Sequence, residues 1–236
     1  MMKVIKYIFT NKIIHYGEIY RLISFNYFIK KLGIDLTKSH ILDIGFNRGT
    51  YRWYFKNVLK SREYSGVEID KRFLKKYSNT FYHNLEHNII NNTYDIIFCS
   101  HVLEHVKDDY TFLLNMAYSL GDVGKVLIRV PTPTNQKIYF RSFNKKTAQD
   151  EEHFRDGYNL DEIKQLLSRV GLKVENHFCS MGRLGLAMHT FFEILRDYQI
   201  RFQRLLQLPF IFISIIDIYF VNNKSSSDLL IVASKV

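Results

Sequence analysis

The chain contains little cysteine. Its 236 residues include only Cys99 and Cys179, which lie far apart in strand-like segments. This spacing excludes a disulfide framework and the closely paired cysteines of a structural zinc site. We therefore expect a protein of the reducing cytoplasm.

The sequence also lacks a long uninterrupted apolar run. A bilayer-spanning helix needs roughly twenty apolar residues. The apolar stretch 205–220 is shorter and contains Pro209 and Asp217, so a transmembrane helix is disfavoured. Residues 1–10 are basic and apolar but have no small-residue cleavage site, which argues against a signal peptide. No internal repeat is visible.

Acidic residues are outnumbered. The chain has 33 Lys and Arg against 23 Asp and Glu, a formal net charge of +10. Such a charge indicates a polyanionic neighbour: nucleic acid, an acidic membrane face or an anionic substrate. The basic residues are scattered along the sequence and do not form a continuous block. A general drift of the composition towards lysine therefore explains the charge equally well. A hydrophobic content of 47% excludes a disordered chain and allows one domain with a full core.

The most informative segment is 40–49, HILDIGFNRG. A buried strand runs into Asp43, and Gly45 and Gly49 follow in a tight turn that opens a helix. Such a turn brings backbone N–H groups and a helix N-terminus close to a ligand. A Rossmann dinucleotide turn lacks an acid two residues before its first glycine. Asn47 replaces a middle glycine, and asparagine tolerates a left-handed backbone.

The order Asp43, Gly45, Gly49 resembles the first motif of class I S-adenosylmethionine-dependent methyltransferases. Three later segments strengthen the resemblance: 64–70 (YSGVEID), 94–106 (YDIIFCSHVLEHV) and 124–131 (GKVLIRVP). The second of these is similar to the type-11 methyltransferase subgroup. The motifs are in the family's order and cover about 36–180 and the last strand.

The resemblance implies a Rossmann-like, doubly wound α/β fold with seven strands, the last antiparallel. We predict a single methyltransferase domain, 1–236. Residues 1–35 form an N-terminal helical cap, 36–180 and 229–236 the Rossmann-like core, and 181–228 an apolar and basic helical insert before the last strand. The turn patterns also predict a helix over 109–120 that Gly121 ends, and a capped helix over 160–170.

The same resemblance assigns a site for S-adenosyl-L-methionine. The glycine turn and Asp43 are expected to face the sulfonium and the amino-acid part of the cofactor. Glu68 is expected to bind the ribose hydroxyls, and Asp70 is the alternative acid for that role. Asn84 stands where the family reads adenine through an Asp. The full set of predicted cofactor-binding residues is Asp43, Gly45, Asn47, Gly49, Glu68, Ile69, Asn84, Leu85 and Ser100.

The segment after the fourth strand offers a second candidate site. His101, Glu104 and His105 have i, i+3, i+4 spacing and fit one helical face. Some relatives hold a divalent ion with two acids and a His at matching positions, but here the first acid is His101, and hard divalent ions prefer more oxygen ligands. We therefore predict no metal. The absence of an Asn/Asp-Pro-Pro-Tyr sequence argues against amino-methylation of bases.

The acceptor side of the pocket is predicted on 151–158, EEHFRDGY, which is similar to a family loop. His153 is the candidate general base, assisted by His101, because an imidazole accepts a proton near neutral pH. Arg129, Arg155 and Tyr158 are the candidate substrate-binding residues, the arginines for an anionic acceptor. The alternative for His153 is a loop residue that only shapes the lid.

The insert carries Arg196, Arg201 and Arg204 at near-helical spacing before its apolar run. Two interpretations stay open: attachment to an anionic membrane surface, or a helical pair that packs on the sheet or in a homodimer. We predict an O-methyltransferase for a small, glycan or lipid-linked acceptor, cytoplasmic and peripheral at the inner face of a bacterial membrane. The alternatives are an RNA methyltransferase, which only the charge favours, and a non-catalytic cofactor-binding scaffold.

Overall fold

The computed structural model describes residues 16–133, 153–197, 203–222 and 225–236. These residues form two compact units. The described parts of 35–132, 153–177 and 229–236 form the sheet unit, and those of 16–34 and 178–228 form the helical unit. The division into a cap, a core and an insert of one domain stays a prediction.

The sheet has seven strands in the order β3-β2-β1-β4-β5-β7-β6, with β7 antiparallel. This confirms the predicted Rossmann-like α/β class. The strands are β1 (His40–Ile44), β2 (Glu63–Glu68), β3 (Thr80–Tyr82), β4 (Tyr94–Ser100), β5 (Leu120–Pro131), β6 (Leu172–Ser180) and β7 (Asp228–Lys235).

The central strands are apolar because both faces of the sheet are covered. β1 pairs in parallel with β2 and with β4, and Ile44 lies opposite both Val67 and Cys99. β4 pairs in parallel with β5, with Ser100 opposite Arg129. The carboxyl ends of β1, β2, β4 and β5 therefore meet at one edge, which is where ligands bind in such sheets.

Short helices connect these strands: α2 (Thr50–Tyr54), continued by a π-helical turn (Phe55–Leu59), α3 (Lys71–Leu74), a 3₁₀ turn (Leu103–His105), α4 (Asp109–Tyr118) and α5 (Leu160–Arg169). The predicted N-cap of α5 is confirmed, since the Asn159 side chain accepts hydrogen bonds from the backbone N–H groups of Asp161 and Glu162. Glu162 in turn accepts from the Asn159 N–H, which completes a capping box.

The prediction that Gly121 ends a helix was wrong. α4 ends at Tyr118, and β5 already begins at Leu120. Leu120 pairs with Tyr94, and the register shifts before the pairing of Ile96 with Lys125. β5 begins four residues before the fifth strand expected at 124–131, because Leu120 also pairs with β4. The residues between Leu120 and Lys125 form the irregularity.

The helical unit contains α1 (Tyr16–Leu32), α6 (Arg183–Asp197) and α7 (Gln203–Phe220). Tyr16 stacks on Phe192 at 5.4 Å between ring centroids, which joins α1 to α6. Helices are thus present both before β1 and in the 181–228 segment, as predicted. Residues 1–15 and Arg201 lie outside the described residues, as do the side chains of Arg196 and Arg204. Within the described ranges, no helix is long and apolar enough to cross a membrane.

Candidate active site

The turn after β1 has the backbone that its glycines require. The φ angles of Gly45, Asn47 and Gly49 are +71°, +45° and +76°, so Asn47 adopts the left-handed conformation that the sequence analysis assumed. A Cβ on Gly45 would lie 2.3 Å from Cγ2 of Val102. Close packing between the turn and the segment after β4 therefore excludes any larger residue there.

Gly49 packs against an aromatic ring that the sequence analysis missed. A Cβ there would lie 2.8 Å from Cζ of Tyr77, whose hydroxyl donates a hydrogen bond to the Arg48 carbonyl. The Arg52 guanidinium lies 4.9 Å from the centroid of the same ring. Glycine is thus required at position 49 by the packing of the turn itself.

Glu68 joins the end of β2 to the glycine turn. One oxygen of its buried carboxylate accepts from the Asn47 N–H at 3.0 Å, and the other accepts from the N–H groups of Ile69 (2.9 Å) and Asp70 (3.2 Å). A carboxylate offers about four acceptor positions. Three are occupied by backbone amides, which leaves one for a ligand hydroxyl.

Asp43 is buried at the end of β1 and accepts a 2.8 Å hydrogen bond from the Tyr64 hydroxyl. Burial raises the pKa of Asp43 to about 7; the Tyr64 hydrogen bond opposes the shift, and the negative charge of Glu68 adds to it. Two acids therefore lie near the turn in different environments: Glu68 is held by amides, and Asp43 titrates near neutrality.

A histidine and carboxylate cluster follows β4. His101 has a φ of +54°, its N–H donates to the Arg129 carbonyl, and its Nδ1 lies 3.1 Å from Oε1 of Glu104. Glu104 is buried. Burial opposes its ionisation, but the hydrogen bond and charge of His101, together with a backbone hydrogen bond and the charge of His105, outweigh burial, so the pKa of Glu104 is lowered.

His153 joins this cluster from a segment fifty residues later. Its ring lies 4.3 Å from the His105 ring, centroid to centroid, with an edge-to-face tilt. Glu104, His105 and His153 each offer a ligand atom, and these atoms all lie within 4.8 Å of one another. The residues that converge are therefore not the His101, Glu104 and His105 set that the sequence analysis considered.

Backbone hydrogen bonds hold His153 in place. The Phe154 N–H donates to the Glu104 carbonyl at 3.0 Å, and the Tyr158 N–H donates to the Pro131 carbonyl at 2.9 Å. Gly157 has a φ of +126°, and a Cβ on it would lie 2.3 Å from the same carbonyl oxygen. The residues that follow His153 are thus attached to the 3₁₀ turn after β4 and to the end of β5.

The sequence matches the methyltransferase-domain family over residues 18–177, more than half of the chain. The chain belongs to the methyltransferase-domain family. No curated protein matches the sequence.

Solved methyltransferase structures share the fold. A SAM-dependent methyltransferase from Archaeoglobus fulgidus is 15% identical, with a TM-score of 0.59 over 92% of this chain and 94% of that one. The O-methyltransferase of a trans-AT PKS multienzyme from Brevibacillus brevis was solved in complex with S-adenosyl-L-homocysteine. It is 15% identical, with a TM-score of 0.57 over 86% of this chain and 69% of that one. Phosphoethanolamine N-methyltransferase 2 from Haemonchus contortus was solved in complex with phosphomonomethylethanolamine and S-adenosylhomocysteine. It is 17% identical, with a TM-score of 0.55 over 88% of this chain and 51% of that one. The family match confirms the predicted class I S-adenosylmethionine-dependent methyltransferase.

Three predicted cofactor residues of this methyltransferase are held by local contacts. Oδ1 of Asn84 accepts from the Glu86 N–H at 2.9 Å. Leu85 is buried, and its carbonyl accepts from the Asn115 amide at 2.7 Å. Ile69 is exposed beside Glu68. Asp70, the alternative ribose acid, instead caps α3 and pairs with Arg72.

The methyltransferase uses its predicted acceptor residues in internal contacts. Arg129 is fully buried in β5 and donates to the Tyr51 hydroxyl at 2.8 Å. Arg155 and Tyr158 both donate to the carboxylate of Asp109, at the start of α4. The contacts of Arg155 and Tyr158 fit residues that position the His153 segment, whereas the contact of Arg129 joins β5 to α2. Their binding of an acceptor stays a prediction, and Asp109 is a partner that the sequence analysis missed, although an acid in the first turn of α4 was visible.

Proposed function

We propose that this methyltransferase transfers the methyl group of S-adenosylmethionine to a hydroxyl of a small acceptor, including a glycan or a lipid-linked one. The observation that carries the proposal is the convergence of His153 with Glu104 and His105, at the sheet edge where the glycine turn ends β1. A donor site and a candidate base therefore belong to the same unit of the protein. A small acceptor agrees with the phosphomonomethylethanolamine in the Haemonchus contortus structure, and transfer to oxygen agrees with the Brevibacillus brevis O-methyltransferase.

The donor is held by the turn and by the two acids. The sequence-predicted role of the turn is to approach the amino-acid part of the donor through backbone N–H groups near the start of α2. Glu68 offers its remaining acceptor position to a ribose hydroxyl. Asp43 supplies negative charge near the sulfonium once it is ionised.

His153 acts on the acceptor. Methyl transfer from a sulfonium is an in-line displacement, so the oxygen nucleophile must be aligned with the methyl group, and its proton removed. The 2.9–3.0 Å backbone hydrogen bonds of Phe154 and Tyr158 fix the segment that begins at His153. The neighbouring Glu104 carboxylate, whose pKa is lowered, stabilises positive charge that develops on the imidazoles.

The test is turnover of His153→Ala with radiolabelled S-adenosylmethionine and fractionated extracts as the source of acceptor. We expect kcat to fall roughly 100-fold, while S-adenosylhomocysteine binding is unchanged, because a general base contributes about 10²–10⁴. His87→Ala, at an exposed histidine, is the matched control. Normal turnover in His153→Ala would leave His153 as a residue that only shapes the loop.

A metal-dependent form of the same reaction is the second candidate, because Glu104, His105 and His153 present two imidazoles and one carboxylate within 4.8 Å. Imidazole ligands suit zinc, iron or nickel rather than magnesium. We still expect turnover to survive a chelator. Loss of activity that a divalent transition metal restores would assign these three residues to a metal site and remove His153 as the base.

The other proposals concern the cellular setting. A cytoplasmic protein bound peripherally to a membrane agrees with the net charge of +10, and an acceptor in lipid-linked form would be found there. An RNA acceptor would be supported by labelled RNA in the same extract assay. S-adenosylhomocysteine binding without any labelled product would favour the scaffold alternative.

A further inference from the structure

Helix α7 of the helical unit directs Ser214 and Asp217 inward. Ser214 Oγ lies 2.7 Å from the Tyr16 hydroxyl. Oδ2 of Asp217 accepts from the Tyr20 hydroxyl at 2.8 Å and from the Gly182 N–H at 2.7 Å. Buried polar groups are costly unless they are hydrogen-bonded, so these bonds determine which face of α7 packs against α1 and α6.

Over residues 212–220, the opposite face of α7 is apolar and exposed. Phe212, Ile216, Tyr219 and Phe220 are 69%, 50%, 65% and 78% exposed, and their spacing places them on one side of the helix. We call these four residues the apolar stripe. A helix of a soluble protein ordinarily shows the reverse arrangement, and contiguous exposed apolar side chains mark a contact surface.

Two basic residues follow the α1 tyrosine that contacts the apolar stripe. The Tyr219 ring lies 5.3 Å from the ring of Tyr27 on α1, in edge-to-face geometry. Lys30 and Lys31 follow Tyr27 by three and four residues, in the last turn of α1, and both are exposed. Residues at this spacing are neighbours on a helix surface. The surface therefore combines apolar side chains, tyrosines and two cations.

We propose that the apolar stripe, with Lys30 and Lys31, docks on an anionic phospholipid bilayer. Charge complementarity selects this occupant, because lysines beside exposed aromatic and aliphatic side chains match headgroup phosphates above acyl chains. The stripe enters the headgroup boundary, and Tyr219 stays at headgroup level. This surface would hold the protein at the peripheral membrane location given under the proposed function, and the inference rests on that location. Docking itself requires no methyl transfer. It adds two lysines of α1 to the sequence-predicted arginines of the insert, whose side chains lie outside the described residues.

The test measures binding of the full chain to vesicles by sedimentation, without a methyl donor. One set of vesicles is phosphatidylcholine alone, and the other contains about one third phosphatidylglycerol, because anionic lipid supplies the surface potential. We expect binding to the second set only, and weaker binding at high salt. A failure here leaves S-adenosylhomocysteine binding untouched, so it is distinguishable from a failure of the proposed function.

Matched variants locate the surface. Lys30→Gln with Lys31→Gln should lower the partition coefficient about 30-fold, since each cation contributes about 1 kcal/mol near an anionic leaflet. The control pair is Lys164→Gln with Lys173→Gln, at two exposed lysines of the sheet unit. It changes the net charge by the same amount and should lower the partition coefficient far less. Tyr219→Ser should lower binding about tenfold, whereas Tyr118→Ser, at a tyrosine that is 64% exposed, should not.

Three results would overturn the proposal. The first is equal sedimentation with neutral and anionic vesicles at low salt. The second is unchanged binding by the lysine pair variant, which lies on the surface and leaves the fold intact. The third is a dimer in analytical ultracentrifugation that Tyr219→Ser dissociates while neither protein binds vesicles, since the apolar stripe would then contact a second copy.

Discussion

Asp43 carries a charge in a place that disfavours it. Its folded-state pKa of about 7 lies above the ordinary value of 3.8. Between these values the folded chain keeps a proton that the unfolded chain releases, so stability falls as the pH rises from about 4 to 7. Above pH 7 the buried carboxylate is ionised, and its full destabilising effect on the folded state is present. The residue is therefore retained at a cost in stability, which is expected of a group that serves a cationic ligand.

Asp43→Asn should therefore stabilise the ligand-free protein. At pH 8 we expect the free energy of unfolding to rise by roughly 2–4 kcal/mol, with a smaller gain at pH 5, where Asp43 is already protonated. Denaturant unfolding at the two pH values measures this difference. Asp122→Asn, at an exposed acid, is the control. A variant that is less stable than the wild type at pH 8 would contradict the raised pKa.

Gly45 is required by backbone conformation and by packing. Gly45→Ala should lower the free energy of unfolding by roughly 2–4 kcal/mol, from a left-handed backbone and from contact with Val102. Gly171→Ala is the matched control, because Gly171 has a φ of +76° and no atom within 4 Å of its added Cβ. It should cost only about 1–2 kcal/mol. Val102→Ala should restore part of the loss in Gly45→Ala and none in Gly171→Ala.

At the scale of elements, the capping box of α5 ends the segment that carries His153. Asn159→Ala removes an acceptor shared by two backbone N–H groups, and we expect a loss of about 1 kcal/mol in the free energy of unfolding. Asn159→Asp should retain most of the wild-type stability, since Asp caps a helix as well as Asn does. Ser168→Ala, at an exposed position of the same helix, is the control. Equal stability of Asn159→Ala and the wild type would contradict the role of the cap.

Elements that depend on local patterns were predictable from the sequence. The glycine turn and the N-cap of α5 follow from residues a few positions apart, and the seven-stranded sheet with its antiparallel last strand follows from the family resemblance. The start of β5 was not predictable, because its pairing with Tyr94 overrides the usual meaning of Gly121. The contact of His153 with His105 depends on hydrogen bonds between segments fifty residues apart. The inward Asp217 likewise depends on Tyr20, which is 197 residues away.

At the scale of the whole molecule, the chain combines two kinds of surface chemistry. The sheet unit contains the glycine turn, Glu68 and the histidine cluster, and the helical unit contains the apolar stripe with its lysines. We propose that the first binds the methyl donor and that the second docks on a membrane. Their roles can be tested separately, because the variants proposed for one unit leave the residues of the other unchanged.

The most direct test of the donor site is calorimetry with S-adenosylhomocysteine on the wild type, Glu68→Gln and Asp70→Asn. We expect the wild type to bind with a Kd on the micromolar scale that is usual for metabolic ligands. Glu68→Gln should bind at least about tenfold more weakly, because it loses a charged acceptor worth about 1.5–3 kcal/mol. Asp70→Asn keeps a competent helix cap and should bind like the wild type. No binding by the wild type, or loss of binding in Asp70→Asn but not in Glu68→Gln, would contradict the account.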